Sequence, residues 1–246
     1  MKMVWQDTRR ITSAYASSTL KMGVSQAMLM LQDGFTECFG RLGNDNVAIG
    51  EKYNAFWVLT KTKLHFYDFP EWGDDVLLRT FPLDNKIVRT HVCTEILSPD
   101  GNVYAASVQE MCVLDRTSHR PVKLSILNYP TEGFQECTCD KKFEKFPTFD
   151  RENADNVIEQ QVFCEHIDMS RHMNNVEYVR LAMNTFSLEF IHNNIFTDVE
   201  THYLGECREG QLLRVYRYAA DDHTFYCNIY EGERLVFEMK MLTLKR

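Results

Sequence analysis

One pattern occurs twice in this chain, and it restricts the fold more than any other feature. Between Val24 and Leu42 the apolar residues Val24, Met28, Leu31, Phe35, Cys38 and Leu42 recur at three- and four-residue steps. That spacing marks one face of an amphipathic helix. After Asn175 it returns with Val179, Met183, Phe186 and Phe190. When Met22 is laid on Met173, Phe35 meets Phe186 and Phe39 meets Phe190. Strand-like stretches follow each helix. "TKTKLHFYDF" leads through "PEWGDD" to "VLLRTF", and "THYLGE" leads through "CREGQ" to "LLRVYRY". Each half then has a Gly turn, "SPDGN" or "YEGER", and closes on an alternating strand, "VYAASVQEMCVL" or "RLVFEMKMLTL". Both halves read helix, hairpin, hairpin. The first half carries an inserted loop, "GNDNVAIGEKYN". A duplicated unit of this kind predicts an α+β chain in which each antiparallel sheet wraps around its own helix. Between the halves, "NYPTEGFQECTCDKKFEKFPTFDREN" mixes Pro, Gly and charge without periodicity, and reads as a linker.

Composition excludes several classes. The 246 residues suffice for one large domain or two small ones, and 44% are hydrophobic, so a sizeable core can form. A net charge of −8 argues against a general nucleic-acid binder, which needs a basic face. Apolar runs such as "AFWVL" are far too short to span a bilayer. The opening "MKMVWQDTRR" lacks the apolar core of a signal peptide, and no Ser/Arg-rich transit segment is evident. A cytoplasmic, bacterial protein without membrane insertion is expected. Eight Cys are scattered, with only Cys137 and Cys139 close together. Paired C-x-x-C motifs are lacking, so no zinc site is expected, and the cysteines read as single thiols of a reducing compartment.

The densest chemistry lies in "HIDMSRHMNNVEY", which ends at Tyr178, followed downstream by "YLGEC". These stretches resemble the acyl-acyl carrier protein (ACP) thioesterases of plants and bacteria. That family's motif has Asp, Asn two residues on, His, a hydrophobic residue, two Asn and a Tyr, with a Glu-Cys pair downstream. "FWVLTKTKLHF", "FPEWGDDV" and "VLDRTSHRPVKL" are similar to stretches of the family's N-terminal half, so the resemblance covers nearly the whole chain. It implies a double hotdog, two tandem domains each with a long central helix wrapped by an antiparallel sheet. Residues 1–125 would form the N-terminal hotdog with the acyl-chain pocket, 126–156 the linker, and 157–246 the catalytic hotdog. The implied activity is hydrolysis of fatty acyl-ACP to free fatty acid and ACP, which ends chain elongation. No cofactor or metal is implied.

By position, Asp168, His172 and Glu206 match the family's catalytic residues, and Cys207 matches a Cys once proposed as nucleophile. Ser170 stands where the family has Asn, and a hydroxyl cannot offer oxygen and NH2 together. Asn174 and Glu177 have the spacing of a capping box, so a helix should begin near Asn175. Its free N–H groups at Met173, Asn174 and Asn175 would form an oxyanion site. His172 would deprotonate water and reprotonate the leaving thiolate. Asp168 would orient His172 or activate water itself, and Glu206 would complete the water-holding network. Water attack needs no thiol, so Cys207 ranks below the other three. In the first half the positions of Asp168 and His172 hold Ser17 and Lys21, which predicts one active site per chain. Met28, Trp57 and Phe66 are candidates for the acyl pocket, with Met22, Met30 and Phe56 beside them.

The implied partner is ACP carrying a 4'-phosphopantetheine-linked acyl chain. Basic groups must meet that acidic protein: Arg171 and Arg180 near the site, the run Arg116, His119, Arg120 and Lys123, and less strongly Lys141, Lys142 and Lys145. The chain is expected to be a monomer or a homodimer. Rival readings are an acyl-CoA thioesterase on the same fold, a dehydratase of 3-hydroxyacyl thioesters, and a non-catalytic acyl-carrier binding protein.

Overall fold

A computed structural model describes residues 4–246. Two copies of one unit share a single ten-stranded sheet. The N-terminal unit holds β1 (Trp5–Arg10), α1 (Val24–Arg41), β2 (Ala55–Phe66), β3 (Asp75–Pro82), β4 (Arg89–Leu97) and β5 (Val103–Asp115). A further helix, α2 (Asn46–Tyr53), precedes β2. The C-terminal unit holds β6 (Asn156–Gln161), α3 (Asn175–Met183), α4 (Leu188–Asn193), β7 (Asn194–Tyr203), β8 (Leu212–Ala219), β9 (Thr224–Glu231) and β10 (Arg234–Lys245). The strand order β1-β3-β4-β5-β2-β7-β10-β9-β8-β6 reads the same from both edges, unit for unit. The halves join where β2 pairs antiparallel with β7, Lys61 opposite His202 and His65 opposite Asp198. This is the double hotdog that the repeat and the resemblance imply.

Helices α1 and α3 lie together on the inner face of the sheet. Val24, Ala27, Met28, Leu31 and Cys38 of α1 are buried in one cluster with Val176, Val179 and Ala182 of α3. Helix α1 passes close to the sheet at Gly34. A Cβ there would stand 2.7 Å from Thr80 Oγ1 and 3.0 Å from Thr94 Cγ2.

Four local expectations need correction. The stretches around "PEWGDD" and "CREGQ" are not hairpin turns: β4 and β5 lie between β3 and β2, and β9 and β10 between β8 and β7. The first connection instead bonds to the N-terminal segment, with Met22 N–H to Pro70 O (3.0 Å) and Trp72 N–H to Leu20 O (2.8 Å). The inserted "GNDNVAIGEKYN" contains α2, because Asp45 accepts from Val47 N–H and Ala48 N–H at 2.9 Å each. The second long helix stops at Met183 and does not reach Phe190. Thr185 turns its hydroxyl back to Ala182 O (2.6 Å), and its own carbonyl is taken by Asn156 and Arg217. Ser187 then caps α4 by accepting from Phe190 N–H at 3.1 Å. Finally, the cysteines are not all single thiols, since Cys93 and Cys137 form a disulfide with their Cα atoms 5.9 Å apart.

That disulfide fastens the linker to the sheet's outer face. Phe143 stacks on His91, Phe146 on His202 with ring centroids 4.1 Å apart, and Phe149 on Tyr218 at 4.5 Å. Glu144 N–H donates to Glu200 Oε1 at 2.8 Å. With helices on one face and this strap on the other, the middle of β4 and β5 is buried on both sides. Among the described residues no helix is long and apolar enough to cross a membrane.

Candidate active site

Two segments converge at the N-terminal end of α3. The first is the loop 166–174, closed on itself. Ile167 and Met173 form an antiparallel bridge, Asp168 N–H donates to His172 O (3.0 Å), and Arg171 N–H donates to Asp168 O (2.9 Å). So tight a turn needs a left-handed residue, and Arg171 supplies it with φ 65°. The Asp168 side chain braces the turn by accepting from Ser170 N–H at 2.8 Å. The second segment is the exit of β7, residues 204–207. Met173 N–H donates to Cys207 O at 2.8 Å, so the loop and the exit run side by side. Their alignment brings His172 Nε2 to 3.1 Å from Glu206 Oε2.

A cavity of about 570 Å³ opens on this pair. The C-terminal unit contributes Asp168, Ser170, His172, Asn175 and Glu206, and the N-terminal unit closes the opposite wall with Phe56, Trp57 and His119. One wall is therefore ionisable and the other largely aromatic, an arrangement suited to a polar reacting group at the head of an apolar chain. Burial raises the Asp168 carboxyl above the usual carboxylate range, opposed by the Ser170 N–H and the His172 charge.

The oxyanion expectation narrows. Met173 N–H is committed to Cys207 O, and Asn174 N–H to His166 O at 2.9 Å. Asn174 does cap α3, its Oδ1 accepting from Val176 N–H at 2.8 Å. Glu177 does not close a capping box, because its carboxylate pairs with Arg180. Asn175, at the first helical position and among the cavity-lining residues, is the one of the three expected donors not committed to a backbone carbonyl of this loop or the β7 exit.

The other expected residues separate. Cys207 is fully buried, absent from the cavity wall, and burial raises its thiol. Those are poor conditions for a nucleophilic thiolate. Of the acyl-pocket candidates Trp57, with Phe56 beside it, lines the main cavity. Met28 lines a crevice of about 10 Å³ between α1 and α3, which shares Leu59, Asn175 and Tyr203 with the cavity. Phe66 lines neither and stacks on Phe69 at 4.8 Å in the core. Of the basic residues, His119 reaches the cavity wall and Arg171 is exposed at the loop tip, while Arg180 is held by Glu177.

Sequence reading missed Arg234. It lines the cavity, and its guanidinium donates to Glu206 O at 3.0 Å. Gly205 makes room for it, since a Cβ there would lie 2.9 Å from Arg234 Nη1. In the sequence Arg234 belongs to the turn "YEGER", and only the pairing of β10 with β7 carries it to the site.

Comparison with known proteins bears on the fold and on the C-terminal unit. Residues 150–232 match the model of the acyl-ACP thioesterase C-terminal domain. The chain is 23% identical over 169 residues to a chloroplastic acyl-[acyl-carrier-protein] hydrolase, FATB3, of Cuphea viscosissima, covering 66% of this chain and 40% of that protein. It spans less than half the length of the curated relatives it matches. The fold superposes on a 12:0-ACP thioesterase from Umbellularia californica with a TM-score of 0.88 at 14% identity, covering 99% of this chain and 98% of that one. An acyl-ACP thioesterase from Bacteroides thetaiotaomicron gives 0.87 at 13% identity, with 98% of each chain covered.

Proposed function

We propose that this chain, which has the double-hotdog fold of the acyl-ACP thioesterases and matches their C-terminal domain, is itself a thioester hydrolase that releases fatty acids from acyl-ACP. The observation that carries the reading is the 3.1 Å contact between His172 and Glu206 inside a cavity that is also lined by Phe56, Trp57 and Leu114.

In this reading the acyl chain lies against Phe56 and Trp57 and its thioester carbon faces His172. Glu206 orients the imidazole, and the pair removes a proton from the attacking water. The new C–O bond leaves negative charge on the carbonyl oxygen, stabilised by the Asn175 N–H at the positive end of α3. Collapse breaks the C–S bond, and the proton held by His172 passes to the departing sulfur. The products are a fatty acid and the carrier's thiol. Asp168 is a positioning residue that shapes the loop presenting His172, and Cys207 serves through its backbone carbonyl. Exposed Arg171, Arg116, Arg120 and Lys123 are the groups offered to an acidic carrier. The domain division at 125 and 157 belongs to the same proposal, with the first unit acyl-binding and the second catalytic.

Thiol release from matched acyl-ACP and acyl-CoA substrates, with 3-hydroxyacyl forms included, tests this. Hydrolysis of acyl-ACP at higher kcat/KM than acyl-CoA is expected. A preference for acyl-CoA, or dehydration of the 3-hydroxyacyl forms, would replace the reading with its rivals.

A further inference from the structure

The duplication that built the active site also built its twin. A second cavity, of about 490 Å³, opens at the N-terminal end of α1. Ser17, Thr19, Lys21, Met22 and Val24 line it, at the repeat positions of Asp168, Ser170, His172, Met173 and Asn175. Three hydrogen bonds of the loop recur at the matching positions. Ser17 N–H donates to Lys21 O (2.8 Å), Leu20 N–H to Ser17 O (3.0 Å), and Thr19 N–H to Ser17 Oγ (3.3 Å). Leu20 has φ 61° where Arg171 has 65°. Met22 N–H donates to Pro70 O as Met173 N–H does to Cys207 O, which places Phe69 at the repeat position of Glu206. Ile195 and Phe196 at the start of β7 close the far wall, as Phe56 and Trp57 of β2 do in the first cavity.

The shape was kept and the chemistry replaced. Asp, His and Glu have become Ser17, Lys21 and Phe69, so neither an imidazole nor a carboxylate side chain lines this cavity. The charge has also reversed. Both carboxylates that face the first cavity are gone, and the charged lining residues are Lys21 and Arg246. Lys21 bonds Glu71 at 3.2 Å, and an ammonium has two further donors. At the helix start, Gly23 replaces the capping Asn174 and provides no side-chain cap, leaving the first-turn N–H groups open. The same cavity is lined by the apolar side chains of Met22, Phe69, Met183, Phe186, Ile191 and Phe196.

We infer that this twin cavity is a non-hydrolytic binding site for an anionic amphiphile, a long-chain carboxylate whose head meets Lys21 and the α1 terminus and whose tail enters the apolar floor. The choice of a fatty carboxylate rests on the thioesterase reading, whose product it is. The cavity itself does not.

Photoaffinity labelling of the full chain with a diazirine-bearing hexadecanoate, followed by peptide mapping, tests the site. Adducts are expected in segments 17–26 and 183–196. Lys21→Gln should weaken that labelling roughly tenfold, the scale of one charge-assisted hydrogen bond. Ile195→Trp, which fills the cavity from the other unit, should remove it. The matching neutral alcohol should label this site weakly. Adducts confined to 166–178 and 204–211, or equal labelling by acid and alcohol, would overturn the inference. Labelling at 17–26 by a chain that hydrolyses no acyl-ACP would uphold this site and remove the thioesterase reading instead.

Discussion

Asp168 and His172 are four positions apart, and that proximity suggested that they form the pair. The structure gives His172 to Glu206 and turns the Asp168 carboxylate back on Ser170 N–H. The set of three residues was legible in the motif. Their contacts with one another were not, because these depend on Met173 bonding Cys207 and so aligning two segments far apart in sequence. A consequence for stability follows from the raised Asp168 carboxyl. Its folded-state pKa lies above the unfolded value of 3.8, so the stability it contributes is present below that value and lost as pH rises through the folded one. Asp168→Asn keeps an oxygen for Ser170 N–H and carries no buried charge. The variant should melt higher than the parent at pH 7 and equally at pH values well below the unfolded value of 3.8, where the carboxyl is neutral in both the folded and the unfolded chain. An equal or lower melting temperature at pH 7 would show that the charge is compensated in the fold.

The long amphipathic helix of the first half was readable from its period, and α1 ends one residue from where the pattern does. Its repeat was overread. Phe186 and Phe190 keep the helical spacing, and they do meet, with centroids 4.9 Å apart, but across the break between α3 and α4. Local competition by Thr185 and Ser187 for backbone groups decides the break, and hydrophobic spacing is blind to it. Strand pairing was equally hidden. Two stretches joined by a Gly turn look like a hairpin, whereas a connection that bonds to another segment can carry the chain past two neighbours. The tight fit of α1 on β3 and β4 supplies a test at this scale. Gly34→Ala should destabilise the chain by about 1–3 kcal/mol, as overpacking does, because the β-branched Thr80 and Thr94 have little freedom to withdraw. Chemical denaturation measures this, and an unchanged midpoint would mean that α1 can shift on the sheet.

At the scale of the whole molecule, the mirror order of the sheet was implicit in the duplication, and the linker was visible as an aperiodic stretch. Its course was not. Phe143, Phe146 and Phe149 fall at three-residue steps on an extended strap that crosses the sheet, a pattern without the period of helix or strand. The pairing of Cys93 with Cys137 was also unreadable, since their closeness exists only once the strap is laid down. The bridge closes a loop over a sequence separation of 44, and such a cross-link is worth roughly 2–4 kcal/mol. Cys137→Ser should lower the denaturation midpoint accordingly, and a reductant should bring the parent down to the variant. A parent midpoint indifferent to reductant would show that the strap is held by its aromatic contacts alone.

Of the two cavities, one holds the His172–Glu206 pair to which we assign hydrolysis. The most direct test is a double-mutant cycle of His172→Ala and Glu206→Gln, read as kcat on one acyl-ACP substrate, with folding checked by thermal melts. Each single variant should lose at least roughly a hundredfold in turnover, the scale of general acid–base catalysis. The double variant should be little worse than the poorer single, because the two act as one unit. Near-parental turnover by a folded His172→Ala chain, or losses that multiply independently, would contradict the account.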